Sequence, residues 1–120
     1  MKEIKKVAIA NRGEVAVRII QACQELGLTT VLLHSEADIK SRAYRASDEQ
    51  ICIGPAEVGK SYLNIENTVN GILSSGADAV HPGFGFLSEQ ADFALRCEAE
   101  GFIFIGPNAE AIQKMGLKST

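Results

Sequence analysis

No Cys-x-x-Cys pair, no block of basic residues and no long apolar run occurs in these 120 residues. Each absence excludes something. The three cysteines, Cys23, Cys52 and Cys97, are far apart, odd in number and set in apolar pattern, and both histidines lie elsewhere. That argues against a metal site and reads as reduced, buried thiols in a cytoplasmic protein. A formal net charge of −3 without a basic patch argues against a nucleic-acid or anionic-membrane surface. Nothing is long and apolar enough to span a bilayer, and Met1 to Lys6 leads straight into a strand pattern rather than a signal peptide. What is present, 46% hydrophobic and 22% charged residues, is the composition of one folded domain.

The hydrophobic period switches repeatedly along the chain. Ile4 to Ala10 reads as a buried strand. From Gly13 a helix places Ala16, Ile19, Ile20 and Cys23 on one face, with Glu14 and Arg18 on another, and Leu26-Gly27 ends it. Thr29 to His34 is a strand, Asp38 to Arg45 a weaker helix, and Gln50 to Ile53 a third strand closed by Gly54-Pro55. Asn64 caps a helix with Ile65, Val69, Ile72 and Leu73 on its inner face, and Gly76 stops it. Asp78 to Val80 is a fourth strand. Ser88 caps the next helix, with Glu89 and Asp92 in its first turn, and Gly101 stops it. Phe102 to Ile105 is a fifth strand, and Asn108 caps a last helix ending near Gly116.

Strict alternation of strand and helix predicts an α/β fold: a doubly wound, Rossmann-like parallel sheet of about five strands with helices on both faces. Ligands in such sheets sit beyond the carboxyl ends of the strands. The segments there are 11–14, Ser35-Glu36, Gly54-Pro55, the glycine-rich HPGFGFLSE loop at 81–89, and 106–108. A dinucleotide site fits poorly. Gly83-Phe84-Gly85 lies after the fourth strand rather than the first, and the last glycine of the fingerprint is replaced by Ser88. Glu36 stands where a ribose-binding acid would. A phosphoacceptor domain fits worse, because Asn11-Arg12 and Gly54-Pro55 occupy the places where its acids are needed.

The segments ANRGEVAVRII (10–20), SEAD (35–38), CIGPAE (52–57), KSYLNIE (60–66), GADAVHPGFGFLSEQADFA (76–94) and FIFIGPNAEAIQKMG (102–116) carry a resemblance. Together they resemble the N-terminal domain of biotin carboxylase, the component found in acetyl-CoA, pyruvate, propionyl-CoA, methylcrotonyl-CoA and urea carboxylases. The resemblance runs from about Ile4 to Lys118. It implies a pre-ATP-grasp domain over 1–118, with 119–120 starting the connection to an ATP-grasp domain. The full enzyme would use ATP, Mg2+ and bicarbonate to carboxylate biotin on a carrier protein; the acetyl-CoA members serve fatty acid biosynthesis. Its partners would be the ATP-grasp and C-terminal domains of the same enzyme, the biotin carboxyl carrier, a carboxyltransferase and a second copy. With the ATP-grasp machinery beyond Lys118, the 120-residue chain is expected to be inactive alone and to hold no cofactor tightly. A stand-alone, non-catalytic binding or dimerisation module is the competing reading.

The resemblance also places residues. His81, Gly83, Phe84 and Gly85 would form a loop facing biotin and phosphate, with phenylalanine at 84 where tyrosine is usual. Glu89 and Lys118 would lie on the ATP and magnesium side. Glu89 reads equally as an ordinary first-turn acid, and Lys118 as a terminal lysine. Leu117 stands where the family has aspartate. His81 is either catalytic or a strand-end imidazole bonded to nearby backbone, and Arg12 either faces the cleft or clamps the switch point. Arg18, Gln21 and Glu25 share a polar helix face that would meet the second copy, with Gln21 where arginine is common. His34 is structural. No catalytic residue and no metal ligand is expected on this chain alone.

Overall fold

The structure is a computed structural model and describes residues 3–106. Strand β1 (Lys6–Ile9) sends Val7 and Ile9 to one side of the sheet and Ala8 to the other. It is buried throughout its apolar length because it lies at the centre. Strands β2 (Thr29–Ser35) and β3 (Glu49–Gly54) follow on one flank, and β4 (Ala79–His81) and β5 (Ile103–Phe104) on the other. All pairings are parallel, in the order β3-β2-β1-β4-β5.

Helices α1 (Gly13–Glu25) and α2 (Arg42–Ala46) cover one face, where Ala16, Val17 and Ile20 pack with Ile9, Leu32 and Ala43. Helices α3 (Ile65–Ser75) and α4 (Ala91–Ala99) cover the other, where Val69, Ile72 and Phe93 pack with Ala8, Val31, Leu33 and Val80. The strand order reverses direction between β1 and β4, so their carboxyl ends frame the topological switch point. The expected five-stranded, doubly wound architecture is therefore the observed one.

Several local expectations hold. The Asn64 side chain accepts a hydrogen bond from the Asn67 amide at 2.8 Å, and Leu26-Gly27 closes α1. Others need correction. Helix α4 begins at Ala91, and its preceding residue, Gln90, makes no side-chain cap. Ser88 is buried within the loop, its hydroxyl without a partner among the described residues, and Glu89 lies before the helix rather than in its first turn. Phe86 to Glu89 form a turn, and the bond from the Ser88 amide to the Gly85 carbonyl closes it before the helix can begin. Leu73 is 49% exposed, because α3 buries Thr68, Val69 and Ile72 and turns position 73 outward. Cys52 is exposed, since β3 is an edge strand with only one covered side. The weak helix over 38–45 divides into a tight turn at Glu36–Asp38 and the short α2. Glu14 pairs with Arg42 of α2 at 3.1 Å rather than along its own helix. The predicted helix at 108–116 lies outside the described residues, as does Lys118.

Candidate functional site

The carboxyl end of β1 continues into Asn11, whose amide side chain is buried. Burial demands that its polar atoms find partners. They do: Nδ2 donates to the carbonyls of Pro82 and Phe84, each at 2.8 Å, and Oδ1 accepts from the Arg12 amide at 2.8 Å. One side chain from the first strand therefore holds the loop after the fourth. Gly83 sits under it with φ of +66°, where an added Cβ would stand 2.8 Å from both Asn11 and Val15. The glycine is required twice, once by the left-handed backbone and once by the close approach.

His81 opens the loop. Its Nδ1 accepts from the Gly83 amide at 3.1 Å, which leaves the neutral ring protonated on Nε2. Burial pushes the imidazole pKa below its ordinary value of 6.5. His81 is thus the strand-end imidazole bonded to nearby backbone, and it is neutral at physiological pH. Phe86, at φ of +46°, is an uncommon left-handed non-glycine residue, and its ring leans on Tyr62 with centroids 5.3 Å apart.

Tyr62 belongs to a second buried set. Its hydroxyl donates to Asp38 Oδ2 and accepts from the Ser35 amide at 3.0 Å. Asp38 Oδ1 receives Arg12 Nη2 at 2.7 Å, and the Arg12 guanidinium lies 5.3 Å from the Tyr62 ring centroid. Burial and then the bond to Asp38 push the Tyr62 pKa up to about 12. Arg12 therefore clamps the ends of β1 and β2 and the 54–63 connection, rather than standing free in the cleft. His34 is structural, its Nδ1 2.8 Å from the Ser35 carbonyl oxygen.

With the loop held from both sides, Phe84 projects outward and is 71% exposed. Beside it lies a cavity of about 470 Å³ between Glu14, Val15, Arg18 and Ile19 of α1 and His81, Gly83 and Phe84. Of the residues singled out in the sequence, the structure brings Arg18, His81, Gly83 and Phe84 together here. Gly85, Glu89, Gln21 and Glu25 do not line this cavity. Gln21 and Glu25 are exposed on α1, and Glu89 is exposed at the end of the loop. Asn11, Asp38 and Tyr62, which shape the site, carried only a faint signal: polar residues quoted within the ANRGE, SEAD and KSYLNIE segments.

The family model of the biotin carboxylase N-terminal domain matches residues 3–112. The chain belongs to this family. The biotin carboxylase of Haemophilus influenzae is 56% identical over 115 residues, which is 96% of this chain and 26% of that protein. The mitochondrial propionyl-CoA carboxylase alpha chain of Homo sapiens is 47% identical over 117 residues, 98% of this chain and 16% of that one. Among solved structures, the biotin carboxylase domain of thermophilic 2-oxoglutarate carboxylase bound to bicarbonate superposes with a TM-score of 0.90. It is 45% identical, over 96% of this chain and 26% of that one. The chain thus spans about a quarter of the length of its biotin carboxylase relatives.

The exposed Phe84 ring beside a largely apolar cavity offers a face on which a planar group could stack. Among the described residues no three His, Cys, Asp or Glu side chains converge as a metal site. No described helix is long and apolar enough to cross a membrane.

Proposed function

We propose that this domain forms the N-terminal wall of the active-site cleft of a biotin carboxylase, presenting the 81–89 loop to biotin. The protein containing it would transfer a phosphoryl group from ATP to bicarbonate. The carboxyl group so activated would pass to N1 of biotin on a carrier protein, with release of phosphate. The observation that carries this reading is the exposed Phe84 ring on a loop pinned by Asn11 at the switch point. The pinning fixes the ring before a ligand arrives, so little ordering entropy remains to be lost on binding. His81, neutral and bonded to Gly83, orients the loop and keeps charge away from the apolar ligand face.

Exposed Glu89, and Lys118 outside the described residues, would face the nucleotide. The magnesium ligands belong to the ATP-grasp portion, which would follow a domain spanning 1–118, with 119–120 as the start of the connection. The polar flank of α1, with Arg18, Gln21 and Glu25 exposed, would meet a second copy in a cytoplasmic homodimer. The C-terminal domain, the biotin carboxyl carrier and a carboxyltransferase complete the set of partners.

A chimera tests this. Residues 3–106 replace their counterpart in the Haemophilus influenzae enzyme, and carboxylation of free biotin is followed with ATP and bicarbonate. The expected result is a folded chimera with ATP- and bicarbonate-dependent turnover, and a raised KM for biotin when Phe84→Ala is added. A chimera that melts cooperatively yet shows only background turnover, or an unchanged KM with Phe84→Ala, would overturn the reading.

A further inference from the structure

One peptide group of the 81–89 loop is gripped at both ends. The Pro82 carbonyl accepts from Asn11 Nδ2 at 2.8 Å. The Gly83 amide, the other end of the same planar unit, donates to His81 Nδ1 at 3.1 Å. Gly83 has φ of +66° and no side chain, so residue 83 tolerates either hand of backbone once a grip is lost. Phe84, with its exposed ring, is the next residue.

The two grips differ in chemistry. Asn11 is an amide and holds at any pH. The imidazole holds only while Nδ1 is an acceptor; a proton there turns it into a donor that faces the Gly83 N–H. No other support of the loop titrates near neutrality. Asn11 holds the Phe84 carbonyl, the Ser88 amide donates to the Gly85 carbonyl, and Phe86 leans on Tyr62, whose pKa is pushed up to about 12.

The groups around His81 resist its proton without forbidding it. Glu14 and Arg18 of α1 share its cavity, and Cys23 shares the adjoining groove. Glu14 is paired with Arg42, and burial pushes the Cys23 thiol up, which keeps it neutral. Arg18 is left to repel an imidazolium. Ile9 and Ala10 beside it on β1, Ile105 after β5 and loop residues 82–88 bring no charge. Burial holds the ring neutral at physiological pH, so the grip is closed there.

We propose that His81 is a proton-operated latch: its protonation frees the Pro82–Gly83 peptide, and with it the fixed placement of Phe84, while Asn11 keeps the loop attached. The loop is the one presented to biotin above, but the latch is read without any ligand. A failed chimera and a failed latch are therefore separate results.

Nuclear magnetic resonance on the 120-residue chain tests the latch, with pH lowered from about 7.5 to about 5. At the upper pH the ring should carry its proton on Nε2. As His81 titrates, the Gly83 amide and Phe84 ring signals should move with His81's own midpoint, and the Gly83 protection factor should fall about fivefold. His81→Asn keeps an acceptor near the place of Nδ1 and takes up no proton, so those signals should cease to move with pH. Any of four results would overturn the proposal: a proton on Nδ1 at neutral pH; a ring that stays neutral until the fold melts; Gly83 and Phe84 signals that stay put, or move with no loss of protection, as His81 titrates; or equal movement in His81→Asn.

Discussion

The two turns that meet at the switch point are built in opposite ways. The turn after β1, residues 10–12, is short and has no glycine, and its working part is one buried amide, Asn11. The loop after β4 is long, with two glycines at positive φ and a third left-handed residue in Phe86. The long loop carries the exposed aromatic ring, yet the short turn determines its shape, through two hydrogen bonds to carbonyls 71 and 73 residues away in sequence. Glycine makes a conformation accessible; a saturated buried donor selects it.

The largest break in this comparison should come from the short turn. Asn11→Ala leaves the Pro82 and Phe84 carbonyls without their partner, at a cost of about 3 kcal/mol, read as a lower urea midpoint. The loop should also gain proteolytic sensitivity. A midpoint within experimental scatter of the unaltered chain would mean that the glycines alone hold the loop. Next comes Tyr62→Phe, which strips one bond each from Asp38 and the Ser35 amide while keeping the ring on Phe86. A loss of about 2 kcal/mol is expected, with the loop amides little shifted in an NMR spectrum.

Within the long loop the two glycines should separate. Gly83→Ala meets both a left-handed backbone and the Asn11 and Val15 atoms, whereas Gly85→Ala, at φ of +72°, meets open space. Gly85→Ala should cost about 1 kcal/mol, the backbone term alone, and Gly83→Ala clearly more by thermal melting. Equal costs would mean that Asn11 yields easily.

The smallest effect is pH dependence at His81. Its folded pKa lies below the ordinary 6.5, so the unfolded chain binds more protons in the interval between the two. The stabilisation is present above the unfolded value and is lost as pH falls through the folded one. Melting temperatures should decline on acidification below about pH 6.5, and His81→Gln should flatten that part of the profile. An identical slope in both proteins would remove His81 from the account.

Much of this was legible along the chain. The switch from one hydrophobic period to the other marked the five strands and the four α-helices among the described residues, because burial on one face imposes a period of 2.0 or 3.6 directly on the residues. The glycine-rich loop was legible too, since left-handed turns demand unusual residues. The limits of the same reasoning show at Ser88, Cys52 and Leu73. Ser88 has the chemistry of a cap, but the turn at Phe86 to Glu89 places it one step too early. Cys52 and Leu73 occupy apolar pattern on elements whose outer sides remain uncovered among the described residues. Residue type and spacing cannot say which strand becomes the edge.

The sequence by itself determined the alternation, hence the parallel sheet and the switch point at its centre. Its motifs also determined membership in the family. Tertiary structure alone decided which side chains hold that place together. Asn11 joins Pro82 and Phe84, and Arg12 joins Asp38 and, through it, Tyr62. The reason is range: periodicity is written by neighbours within a turn or two, whereas a buried amide finds its partners only after distant strands have paired.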